Sequence, residues 1–190
     1  MSTTLIFVEL LSAGTLALIA LGLAFLGVGV DVEQLKWIDA QSQIASVIIA
    51  LAIAYPLGIV VDGIADRLFQ NVGEQFKQKY KLKAHHSVFS LAADKERWND
   101  FMGKYFEYNR VRTRMVRSFL LNSILMLVVG ALVGAKLAWA ASDLCLWLAT
   151  WAGITAAAWW SLRELREAWF RMLAISWGTY PEPGDSQAPR

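Results

Sequence analysis

Uncharged, mostly apolar stretches occupy Leu10–Val30, Ile44–Val61, Ser118–Ala135 and Leu144–Leu162, two on each side of a polar segment. At ~1.5 Å of rise per residue, each approaches the ~30 Å of a hydrocarbon core once a little flanking sequence is added. The pattern predicts four membrane helices. The first run is expected to be a retained helix and not a cleaved leader. Met1–Leu5 carries no Lys or Arg, and the apolar stretch exceeds the ~7–15 residues of a leader's core.

Between the second and third runs the periodicity stays helical. Leu68, Phe69, Val72, Phe76 and Tyr80 fall on one arc, so the second membrane helix is expected to project beyond the bilayer. After a break around Lys83–Ser90, Trp98, Phe101, Tyr105, Tyr108, Met115 and Phe119 recur in steps of three and four, with Arg112 within the stripe. They predict a core-facing stripe on a helix that runs into the third membrane crossing. Leu165, Trp169, Met172 and Leu173 predict that the fourth helix continues outward to join them. The expected fold is all-α: a polytopic membrane protein with four transmembrane helices and a cytoplasmic helical hairpin extending the second and third. Residues 1–64 and 118–162 form the two transmembrane hairpins, and residues 65–117 the extramembrane one. Residues 163–190 form a helical extension and a loose tail containing Pro181, Pro183 and Pro189.

Composition agrees with lipid as the solvent, since 56% of the 190 residues are apolar against ~45–50% in soluble domains. Net charge is only +2, but its distribution is uneven. Lys and Arg outnumber Asp and Glu twelve to six over residues 65–117, whereas the Asp31–Gln43 connection holds one base against three acids. Basic loops stay inside, which predicts that both termini are cytoplasmic in a bacterial inner (plasma) membrane. Cys145, the single cysteine, has no intrachain partner for a disulfide and is expected to be a packing residue.

Charges at a membrane boundary are costly, so they are expected to pair or to face water. Glu9, Asp62, Asp66, Arg114, Arg117 and Arg163 map to one boundary and predict a charged collar, with Asp62–Arg117 the favoured pair. The collar has two readings, a clamp between helices or a gate. Asn122 is expected to hydrogen-bond a neighbouring helix. Gly130 and Gly134 form a GxxxG step on the third run, and Ala149, Gly153 and Ala157 a small-residue ridge on the fourth. Both are expected to hold these helices together within one subunit, with oligomer formation the alternative, and to leave Trp147 and Trp151 toward lipid. Pro56 and Gly58 interrupt the second run and predict a kink or hinge.

The chain carries none of the catalytic or nucleotide-binding fingerprints, so no enzymatic activity, cofactor or metal is expected. His85 and His86 diverge by ~100° on a helix, poor geometry for a shared ion. Lys77, Lys79, Lys81, Lys83, Arg110 and Arg112 are candidate contacts for lipid headgroups or another anionic ligand, with nucleic acid disfavoured beside an anionic leaflet. The expected function is a membrane adaptor or regulatory effector that receives a cytoplasmic protein or small anionic ligand through its basic hairpin. The alternative is an oligomeric pore gated at the collar. Small membrane effectors of bacterial defence systems share this general build, an analogy of architecture alone.

Overall fold

The computed structural model describes residues 3–28, 43–83, 86–94 and 99–179. The acidic loop around Asp31–Asp39, His85, Trp98 and the proline-containing tail lie outside them. Within the described residues six helices follow one another: α1 (Thr3–Val28), α2 (Gln43–Phe69), α3 (Asn71–Lys79), α4 (Val88–Ala93), α5 (Asp100–Lys136) and α6 (Ala141–Ser176). Among the described residues there is no strand. Among the described residues three helices, α1, α2 and α5, are long and apolar enough to cross a membrane. The 36-residue α6 is not among them: its uncharged run is rich in tryptophan, which favours the membrane interface.

The chain divides into two compact units. The first comprises residues 1–67 and 114–160, the second residues 68–113 and 161–190, so α5 and α6 contribute to both.

In the first unit, α1 and α2 cross at two glycines. A Cβ on Gly14 would lie 1.7 Å from the Ala54 carbonyl oxygen, and one on Gly58 1.8 Å from the Leu10 carbonyl oxygen. Only backbones without side chains at these points can approach so closely. Leu10, Ala13, Ala17 and Ala20 of α1 and Ala54, Val61 and Ala65 of α2 are buried along the two helices. The helix α2 runs unbroken through the exposed Pro56. Gly58, expected at a hinge, is thus a packing glycine.

A tight turn over residues 137–140 joins α5 to α6, with Ala138 left-handed at φ 51° and Trp139 N–H donating to the Gly134 carbonyl at 3.0 Å. The contact between these helices differs from expectation. Trp147 does not face lipid: its indole sits on Gly130, where a Cβ would lie 1.8 Å from Nε1, and Nε1 donates to the Met126 carbonyl at 3.2 Å. Leu144 and Trp139 cover Gly134. The ridge of Ala149, Gly153 and Ala157 is exposed, and a Cβ on Gly153 would meet nothing within 4 Å. The physical reason is complementarity of size. The α5 glycines leave a depression that large α6 side chains fill, so large meets small and the small α6 face turns outward.

The second unit has its own core of Phe76, Tyr80, Leu91, Phe106, Phe170, Leu173 and Ala174. The projection of α2 is interrupted at Gln70, and α3 and α4 follow instead of a single arm. Ser87 caps α4 by accepting from the Ser90 N–H at 3.1 Å, and Asn99 Oδ1 accepts from the Met102 N–H at 2.8 Å as α5 begins. The expected core stripe of α5 is displaced by one residue. Phe101 and Tyr108 are 68% and 60% exposed, whereas Phe106, Asn109 and Thr113 are buried. Asn109 and Thr113 read as polar in sequence, but Asn109 Nδ2 donates to the Tyr105 carbonyl at 3.2 Å, which satisfies its amide donor inside.

Candidate functional site

The first unit gathers five charged side chains from three helices. Glu9 precedes the first uncharged run, Asp62 follows the second and Arg117 precedes the third, so the polar ends of three apolar segments meet. The helical period places Asp62 and Asp66 on one face of α2, and Arg114 and Arg117 on one face of α5.

Arg114 donates to Asp62 Oδ2 through Nη2 at 2.8 Å and Nε at 3.2 Å. Its Nε also lies 3.8 Å from Glu9 Oε1. Arg117 bridges the two α2 carboxylates, pairing with Asp66 Oδ1 through Nη1 and with Asp62 Oδ1 through Nη2 at 3.3 Å. Ser118 Oγ completes the set, 3.4 Å from the same Asp62 oxygen. The favoured sequence pair, Asp62–Arg117, is therefore one strand of a network. Arg114, not Arg117, makes the closer contact with Asp62.

Burial is graded across the cluster. The Glu9 side chain is 3% exposed and that of Arg117 8%, while that of Asp66 is 63% exposed. Glu9 Oε2 and Arg117 Nε have no hydrogen-bond partner among the described residues. Three carboxylates thus face two guanidiniums at the border of the apolar runs. Chemically the cluster ties α1, α2 and α5 together, because separating any helix strands a buried charge. Arg163, the sixth expected member of the collar, is exposed and belongs to the other unit. Deeper in the first unit, Asn122 Nδ2 donates to the Ala13 carbonyl at 2.8 Å, an α5-to-α1 tie 1% exposed. Thr155 Oγ1 donates to Ser123 Oγ at 3.0 Å and links α6 to α5. The sequence reading does not single out Gly14, although Ala13, Gly14 and Ala17 form a small-residue face at helical spacing that points to it.

The candidate anionic-ligand residues in the second unit are not one bare cationic surface. Lys77 pairs with Glu74, and Lys79 Nζ donates to Glu167 Oε1 at 2.6 Å, an oxygen that also accepts from Tyr80 Oη at 3.1 Å. The hydrogen bond from Lys79 holds the Glu167 carboxyl below its ordinary value, and the same bond raises Lys79. Lys81, Lys83, Arg110 and Arg112 are exposed, with Lys81 left-handed at φ 52° and the Arg112 guanidinium 5.3 Å from the Tyr108 ring centre. His86 accepts from the Lys83 N–H at 3.3 Å through Nδ1 and stacks on Trp177 at 5.0 Å. Among the described residues no three His, Cys, Asp or Glu side chains group as a metal site. Comparison of the chain with protein-family models, with curated proteins and with solved structures finds no match.

Proposed function

We propose that this is a non-enzymatic integral membrane adaptor or regulatory effector. Its first unit anchors it, with α1, α2, α5 and the uncharged run of α6 crossing a bacterial inner membrane and both termini cytoplasmic. Its second unit receives a cytoplasmic protein. The observation that carries this reading is a unit with a closed aromatic core that still presents Phe89, Phe101 and Tyr108 at 85%, 68% and 60% exposure. Exposed apolar side chains that share one face outside lipid, as Phe101 and Tyr108 do on α5, mark contact surfaces. Neutralisation of Lys77 and Lys79 by carboxylates favours a protein over a small anion as the signal.

A second reading, an oligomeric pore, is favoured by the outward small-residue face of α6, which permits close approach by a helix of another copy. Native mass measurement of protein extracted from its own membrane into lipid discs separates the two. The adaptor gives a monomer or dimer carrying a second chain in fixed ratio. A closed ring of four or more copies overturns it. Reporter fusions at Gln41, His86 and Arg190 test the orientation: the first is expected outside and the other two inside.

A further inference from the structure

Along the second-unit part of α5, Phe101, Lys104, Tyr108 and Arg112 are exposed at spacings of three and four, which places them on one helical face. Half-buried Tyr105 roots this face in the core. Its ring meets Phe106 edge-on at 5.7 Å and Phe101 at 6.4 Å, and its hydroxyl donates to the Ala168 carbonyl at 3.3 Å. The face is therefore preorganised, with aromatic and cationic groups alternating along it.

Lipid does not explain it. Phe101 precedes Ser118, where the uncharged run of α5 begins, by ~25 Å of helix, and Tyr108 precedes it by ~15 Å. The headgroup layer is only ~5–8 Å deep, and even a 40° helix tilt leaves Phe101 ~19 Å away. Nucleobases fit poorly as well. Arg112 lies over one face of the Tyr108 ring and Phe101 turns one face to Tyr105, so only one face of each ring is left for base stacking. An apolar stripe flanked by acids on a partner helix would match both the aromatic groups and the two cations.

We propose that the Phe101–Lys104–Tyr108–Arg112 face of α5 docks an acidic amphipathic helix of a partner protein. This rests on the adaptor reading and names the partner's chemistry. The test is photo-crosslinking of the full chain in its native membrane, with p-benzoylphenylalanine in place of Phe101 or Tyr108 and, as reference positions, Phe89 or Arg171. Irradiation is expected to give one protein adduct at 101 and 108, with the crosslinked peptide a net-negative helical segment. Adding Lys104→Glu and Arg112→Glu should lower the adduct yield at least tenfold without changing the Tm of the purified protein. Adducts to lipid, nucleic acid, a second copy or a segment without net negative charge overturn the proposal, as does an undiminished yield after charge reversal. Protein adducts at 89 or 171 but not at 101 or 108 remove this face and leave the adaptor reading standing. No protein adduct at any of the four positions removes both.

Discussion

Removing one guanidinium from the five-member cluster tests whether it is a clasp, and the graded burial ranks the outcomes. Arg114→Gln leaves Glu9, 3% exposed, and Asp62, 15% exposed, facing only Arg117. Breaking a buried pair from one side costs about 3–5 kcal/mol because the remaining charge is stranded. Asp66→Asn removes a carboxylate that is 63% exposed, where water takes over, and the loss should be ~0–1 kcal/mol. The coupling between Arg114→Gln and Asp62→Asn should reach ~1.5–3 kcal/mol, as for charge-assisted bonds, with the double variant recovering part of the loss. The Arg117–Asp66 coupling should stay below ~1 kcal/mol, since exposure of Asp66 screens it. Equilibrium unfolding in mixed micelles of lipid and denaturing detergent, followed by tryptophan fluorescence, measures all the corners. If Asp66→Asn proves as costly as Arg114→Gln, or if the Arg114 and Asp62 losses simply add, the clasp reasoning fails.

The α1–α2 crossing should reject side chains. Gly14→Ala and Gly58→Ala each place a methyl within 2 Å of a carbonyl oxygen, and the same unfolding measurement should show losses of about 1–3 kcal/mol. Gly153→Ala, with open space around it, should instead be neutral or stabilising by up to ~1 kcal/mol. Trp147→Phe keeps the ring against Gly130 but loses the bond to the Met126 carbonyl. It should cost about 0.5–1.5 kcal/mol. The Lys79–Glu167 pair sets a pH dependence with a defined sign. Glu167 titrates below its ordinary 4.5 in the folded chain, so its contribution is present above that value and is lost as pH falls through the lowered one. Lys79 titrates above its ordinary 10.5, so its contribution is complete below 10.5 and is lost as pH rises through the raised value. Both side chains are partly exposed, so the effect should be under ~1 kcal/mol. Melting curves of Glu167→Gln against the parent should converge at the acid end, and equal separation at all pH values would refute the assignment.

The helical class, the apolar runs and, Arg163 excepted, the residues of the charged cluster are readable from the chain alone. Each follows from local chemistry: the length of an uncharged run, the period of a helix and the cost of placing a charge at a membrane boundary. Glu9, Asp62 and Arg117 could be singled out because each sits beside the end of such a run. Their partners were less legible, since Arg114 and Arg117 lie one turn apart and both reach α2. Only the packed structure assigns Arg114 to Asp62 and lets Arg117 bridge to Asp66. The buried faces of α5 and α6 are not set by periodicity, for a related reason. Helical periodicity shows that an apolar or small stripe exists, but which stripe is covered depends on the surface brought against it. On α6 the glycines of α5 select Trp147 and turn Gly153 outward. On α5 a satisfied Asn109 goes inside while Phe101 and Tyr108 stay out. Gly58, two residues after Pro56 in the pattern of a hinge, acquires its role only when Leu10 and Gly14 of another helix arrive against it. Local propensity sets what each segment can form, whereas burial is a property of pairs of surfaces that no single segment contains.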